Sequence, residues 1–238
     1  MGVSIKNISK NLNISKSTVY YHAKDCCRKM TKLNLNLLTE REKGYITGLF
    51  LGDGSFNKGH KEPRFFVRFA LDAERDKDIS HFLVSIFEKA GKKASIFTRG
   101  SVLTVKVSSK DLVEYLQKHI DYDRKTREKS IQYSDISSID FQYGILAGMI
   151  DSDGHVHEHL GTEIKTVSAK LFKNITAILR ELEISTKTKL RDSPSNSFSK
   201  KPRYEIYIPS SEMKRNKSKI PSVKIVRYLP KSSFSEKD

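Results

Sequence analysis

Two aspartates stand one hundred positions apart in matching surroundings. Asp53 closes the segment Gly44-Tyr-Ile-Thr-Gly-Leu-Phe-Leu-Gly-Asp-Gly54, and Asp153 closes Gly144-Ile-Leu-Ala-Gly-Met-Ile-Asp-Ser-Asp-Gly154. Gly44, Gly48, Asp53 and Gly54 meet Gly144, Gly148, Asp153 and Gly154 in register. Small residues recur every four positions, Gly44, Gly48 and Gly52 against Gly144, Gly148 and Ser152. That spacing lines them along one face of a helix. A glycine inside a helix costs about 1 kcal/mol relative to alanine, so two such faces predict two helices in very close contact. The aspartates then fall in the last turns, with Gly54 and Gly154 predicted as left-handed C-caps. Carboxylates at adjoining C-terminal tips repel each other and the helix dipoles. With the free carbonyls of Gly52 and Ser152 they form an all-oxygen set suited to a divalent cation. Asp53, Asp153, Gly52 and Ser152 are therefore the candidate metal ligands.

The elements around these segments repeat as well. After the first motif helix the chain reads as strands near 55–60 and 63–71, a helix over 76–90 stopped by Gly91, and a hairpin of 93–99 and 102–108 about Arg99-Gly100. A helix at 110–119 and a basic connector over 121–138 complete the half. The second half reads as strands near 154–160 and 162–168, a helix at 170–182, strands near 186–191 and 203–208, and a polar loop between the last two. Of the 238 residues, Lys and Arg total 44 against 28 Asp and Glu, a formal charge of +16. Such an excess calls for polyanionic partners and points to nucleic acid. The two cysteines, Cys26 and Cys27, are neighbours, so they cannot staple distant segments or supply a four-ligand zinc site. No secretory leader or membrane-length apolar run is evident, so an intracellular protein without a membrane partner is expected.

Residues 146–154, Leu-Ala-Gly-Met-Ile-Asp-Ser-Asp-Gly, resemble the motif that names the LAGLIDADG homing endonucleases, and residues 46–54 are a looser copy. The resemblance extends over about residues 36–230. It implies an α+β fold, a pseudo-two-fold pair of αββαββ halves whose antiparallel saddle-shaped sheets cover DNA, with the motif helices at the interface. It carries the catalytic role to Asp53 and Asp153, one for each strand of double-stranded DNA. It also implies Mg2+ as cofactor (Mn2+ or Ca2+ able to substitute in binding) and a basic residue near each acid, for which Lys125 and Lys219 are chosen. Leu51 departs from the motif's usual acid, which Asp151 keeps. Whether that position serves packing or chemistry is left open by the sequence.

The polar strand faces are the expected DNA surface: Lys58, His60, Arg64, Arg68, Arg99 and Lys106 in the first half, and His155, His157, Lys165, Lys187, Lys189, Arg191 and Arg203 in the second. His155, His157 and His159 share a strand face at metal-ligand spacing, but no acid joins them there, so DNA or solvent is preferred to zinc. Ahead of the first motif, residues 5–25 look like a helix-turn-helix turning at Asn13-Ile-Ser15, with Ser17, Thr18, Tyr21 and His22 as readers. Leu33 to Leu38 is expected to link it to the nuclease, and Thr39 with Glu42 to form a capping box. The expected organisation is 1–33 helix-turn-helix-like, 34–138 first half, 139–230 second half and 231–238 flexible tail, acting as a monomer. The rival readings are a catalytically silent regulator or an intron maturase with RNA as a partner.

Overall fold

The computed structural model describes residues 4–27, 32–56, 65–123, 125–126, 128–132, 138–157, 159, 161–192 and 202–228. The chain divides into two compact units, 1–32 and 33–238.

In the first unit, α1 (Ile5–Leu12) and α2 (Lys16–Cys27) are joined by a tight turn. Asn13 takes the left-handed conformation, with φ 51°. The Ser15 hydroxyl accepts from the Thr18 amide at 3.0 Å and so caps α2. Val19 is buried, whereas Ser17, Thr18 and Tyr21 face outward.

The second unit opens with Leu33 and Leu38. Both are buried in its core, and the Asn34 amide donates to the Ala90 carbonyl. The segment expected as a linker is thus part of the packed domain, because its leucines find apolar partners. Next comes α3 (Glu40–Asp53), started by the Thr39–Glu42 capping box, in which Thr39 N donates to Glu42 Oε2 at 2.8 Å. Then follow β1 (Gly54–Phe56), β2 (Phe66–Asp72), α4 (Lys77–Lys89), β3 (Ser95–Arg99), β4 (Val102–Ser108) and α5 (Lys110–His119). The basic connector carries a small hairpin, β5 (Ile120–Tyr122) with β6 (Lys129–Ile131). The second half repeats the order with α6 (Ile139–Asp153), β7 (Gly154–His157), β8 (Gly161–Thr166), α7 (Ala169–Glu181), β9 (Lys187–Arg191) and β10 (Arg203–Pro209), and ends in α8 (Ser210–Asn216) and α9 (Val223–Tyr228).

The two four-stranded sheets are antiparallel and have the same order, β1-β2-β4-β3 and β7-β8-β10-β9. Strand alternation sends Val67, Phe69, Leu71, Leu103, Val105 and Val107 inward, onto a core that includes Ile79, Leu83 and Phe87 of α4. Val156, Ile164, Ile206 and Ile208 do the same in the second half, where α7 contributes Leu171, Ile175 and Ile178. The expected pair of α+β halves is what the structure contains. Two helices at the C-terminal end, α8 and α9, were not anticipated, and the strand expected near 154–160 ends at His157. Gly91 (φ 73°) sits at the predicted helix stop and Gly100 (φ 59°) at the predicted hairpin turn.

At the centre, α3 and α6 pack backbone to backbone. A Cβ built at Gly48 would stand 2.1 Å from the Ile145 carbonyl oxygen, and one at Gly148 would stand 2.3 Å from that of Tyr45. Gly44 and Gly144 face Phe141 and Arg41 in the same reciprocal way. Nothing but hydrogen fits at the crossing. From Gly44 to Leu51 and from Phe141 to Asp151 every residue is buried, so both helices are covered on all sides in those stretches. We predict that Gly48→Ala or Gly148→Ala lowers stability by about 2–4 kcal/mol, because backbone cannot retreat as a side-chain end can. Gly100→Ala, with open space around it, loses only about 1 kcal/mol for its left-handed conformation. Denaturant midpoints of the three variants check this; equal losses would contradict it.

Candidate active site

Each motif helix ends on its aspartate, and the chain turns directly into a strand. Gly54 and Gly154 are therefore extended, at φ −82° and −85°, and not left-handed caps as the sequence suggested. Glycine is required there by crowding instead: a Cβ would stand 2.3 Å from the Phe50 ring and 2.5 Å from the Ile150 carbonyl oxygen. The two tips abut. A Cβ on Gly52 would lie 2.2 Å from Ser152 Oγ and 3.1 Å from Asp153 Oδ2. Burial, and then the neighbouring Asp153, lift Asp53 to about 7, against the pull of Lys224 and Lys129. Burial also raises Asp153 while the same two lysines lower it. Asp153 still reaches solvent at the rim.

Two ammonium groups occupy the carbonyl side of the tips. Lys129 Nζ donates to the carbonyls of Phe50, Gly52 and Gly54, each at 2.8 Å. Lys224 Nζ donates to those of Ser152 and Gly154, at 3.2 and 3.1 Å. Burial brings Lys129 down to about 8, though both aspartates favour its charge. Different lysines from those chosen in the sequence make these contacts. Lys125 lies in an exposed turn, its amide bonded to Asp123. Lys219 Nζ lies 5.9 Å from the Tyr143 ring, and Tyr143 is about 15 Å along α6 from Asp153 at 1.5 Å per residue. Sequence reasoning missed Lys129 and Lys224 because the repeat loses register in the two connectors that carry them. Each lies within two residues of a buried isoleucine, Ile131 or Ile225, and that was the available signal.

Asp151 answers the question its position left open. Its side chain is buried and accepts four hydrogen bonds, from Tyr45 Oη (2.8 Å), Ser222 Oγ (2.6 Å), and the amides of Val223 (2.9 Å) and Lys224 (3.0 Å). Burial pushes its carboxyl up, and these donors hold it down. It fastens the start of α9, and hence Lys224, to the motif helix. Leu51, its counterpart, is buried in apolar surroundings. In the first half, Lys129 rides on the β5–β6 hairpin, so no such anchor is needed.

The sheet faces turned away from the core gather most of the other candidates. In the first half, Arg68 and Lys106 are register partners and Arg99 pairs with Val102 on the same face. In the second, the cross-strand rows are His155–Glu163–Tyr207–Lys187, Lys165–Glu205–Lys189 and Arg203–Arg191. The His155 and His157 rings lie 4.2 Å apart, and His159 is in a turn off the strand. Among the described residues no group of three or more His, Cys, Asp or Glu could hold a metal. Lys58, His60, Arg64 and the hairpin expected about Lys61-Glu62-Pro63 lie outside the described residues, as do the polar loop over 193–201 and the tail over 231–238; the side chain of His22 is likewise not described.

Residues 137–226 match the family model described as homing endonuclease. The fold of the chain is similar to that of solved homing endonuclease structures. A structure of mesophilic variants of the homing endonuclease I-DmoI matches at TM-score 0.54 and 16% identity, covering 76% of this chain and 95% of that one. I-DmoI in complex with DNA and Mn matches at 0.54 and 15% identity, over 76% and 96%. The homing endonuclease I-WcaI bound to its DNA recognition sequence matches at 0.55 and 15% identity, over 87% and 91%. I-DmoI and its variants also appear with DNA and Ca, and with target DNA in the presence of Mg. A comparison with curated protein sequences gives no match. Among the described residues, no helix is long and apolar enough to cross a membrane.

We predict that Asp151→Leu, which copies Leu51, frees the α9 segment. Hydrogen exchange at the Val223 and Lys224 amides should rise at least about tenfold, while the β2 and β4 amides keep their protection. Uniformly faster exchange across the domain would show that Asp151 is merely part of the general core.

Proposed function

We propose that the chain is a divalent-metal-dependent DNA endonuclease of the homing type, hydrolysing phosphodiester bonds on both strands of a long double-stranded target. The observation that carries the reading is the pair of carboxylates, Asp53 and Asp153, at abutting helix tips flanked by Lys129 and Lys224. A structure selected only for binding has no use for two mutually repelling, partly buried acids. Their hard-oxygen chemistry and raised pKa fit a divalent cation such as Mg2+, with Mn2+ or Ca2+ able to bind in its place. Asp53 and Asp153 would hold it, together with any of the Gly52 and Ser152 carbonyls that the lysines release. When bound, the cation supplies Lewis acidity and a more acidic water.

The chain's own groups do the rest. Lys129, held near 8, is close enough to neutrality to exchange a proton at Nζ or to face phosphate as a cation. Lys224 is held by the Asp151 anchor beside the second carboxylate. The outward rows of lysine, arginine and histidine would follow backbone and base edges in the major groove. Both motif helices come from one chain, which supports a monomer with internal pseudo-symmetry. Ser17, Thr18, Tyr21 and His22 on α2 would add a separate major-groove contact.

Asp53→Asn and Asp153→Asn should each lower double-strand cutting by at least about a hundredfold in magnesium, while duplex affinity changes less than about threefold. Cleavage selection on a randomised duplex library, with a chelator control, measures this. Unaltered cutting by either variant removes the site assignment, and binding without cutting by the wild type returns the regulator reading. The pH dependence has a definite sign. Asp53 binds its proton more tightly folded than unfolded, so its stabilising contribution is full below about 4 and is lost as pH rises through about 7. Without metal, Asp53→Asn should therefore lose less melting temperature between pH 5 and pH 8 than the wild type, and magnesium should stabilise the wild type more. Removing residues 1–32 should weaken DNA binding by about 1–3 kcal/mol and flatten its salt dependence while leaving metal-dependent cutting in place; unchanged affinity in filter binding would deny α2 a role in reading DNA.

A further inference from the structure

We propose that Glu205 is a specificity-determining positioning residue that holds Arg191 and Arg203 as a paired guanine reader beside the candidate centre. The inference rests on the reading of this sheet as a DNA surface and adds what it recognises. Arg191 and Arg203 are direct register partners on β9 and β10. Like charges placed opposite each other across an antiparallel pair repel, so the pairing needs a reason. Glu205, on the same face, lies between them with a side chain only 6% exposed. Its Oε2 accepts from Arg191 Nε at 2.7 Å, and its Oε1 accepts from Arg203 Nε at 3.1 Å and lies 3.0 Å from Nη2. The two arginine side chains remain about half exposed, at 50% and 48%.

A surface that served only to attract phosphate would gain nothing from a buried acid among Lys165, Lys189 and two arginines. A carboxylate there repels the backbone it should bind. It makes sense when orientation is the benefit. Burial alone would raise the Glu205 carboxyl, yet the hydrogen bond and charge of Arg191, with Arg203, keep it low and ionised. An ionised acid bonded to Nε of both arginines would fix the planes of the two forks and let terminal N–H groups turn toward a base. Planar forks with parallel donors match the O6 and N7 acceptors of guanine in the major groove, and lysine cannot reproduce that match. The location follows from one cavity of about 460 Å³, whose walls include Asp153, Lys129, Lys165 and Arg203. A base met by Arg203 would thus lie close to the phosphate presented to Asp153.

The test is selection of bound duplexes from a randomised library by the full chain in calcium, scored separately from cleavage in magnesium. The wild type should enrich guanine at least about tenfold at one or two fixed positions near the centre of the site. Glu205→Ala should lose that enrichment while keeping preferences elsewhere. Arg203→Lys, which preserves charge and is gentle on the fold, should lose it as well. Retained guanine preference in either variant overturns the proposal, as does its absence from wild-type sites or a failure to select any site. A chain that selects guanine but never cuts keeps this inference and loses the endonuclease reading; one that cuts sites without guanine loses only this inference.

Discussion

The molecule depends on two helix backbones being allowed to touch. Where α3 and α6 cross, the atoms opposite each glycine are carbonyl oxygens and amides of the other helix, leaving no room for a side chain. That contact brings the two sheet-and-helix layers into one core. It also forces two C-terminal tips, each with an acid, to emerge side by side. Charge that would be harmless on one helix end becomes concentrated at the junction.

The structure answers this concentration with two lysines supplied by different devices. Lys129 comes from a short hairpin between the halves and satisfies three carbonyls. Lys224 comes from the C-terminal helix and is fixed by Asp151, a carboxylate that itself would be costly to bury without its four donors. The pseudo-symmetry of the scaffold is therefore broken one residue layer away from the acids.

The outward sheet faces diverge further. The first half carries Ala70, Thr104 and Phe97 in one cross-strand row, whereas the second carries Lys165, Glu205 and Lys189 in the matching row. A two-fold backbone bearing unlike faces is suited to a target whose halves differ in sequence.

Most of the architecture was legible in the residues. The hundred-residue repeat, the glycine spacing and the alternation of Leu103, Val105 and Val107 are local patterns, and each of them specifies a local geometry that packing can only accept. The twin acids were legible for the same reason, since they lie inside the repeat. The C-terminal helices were half-written, because the same offset relates the start of α5 to that of α8. The tertiary structure alone decided which lysines meet the tips, since Lys129 and Lys224 arrive through connectors of unequal form. It alone made Asp151 an anchor, and it made Gly54 and Gly154 matters of crowding and not of backbone handedness. Those outcomes depend on what lies across the fold at distances of a few ångströms, and no periodicity along one chain encodes that.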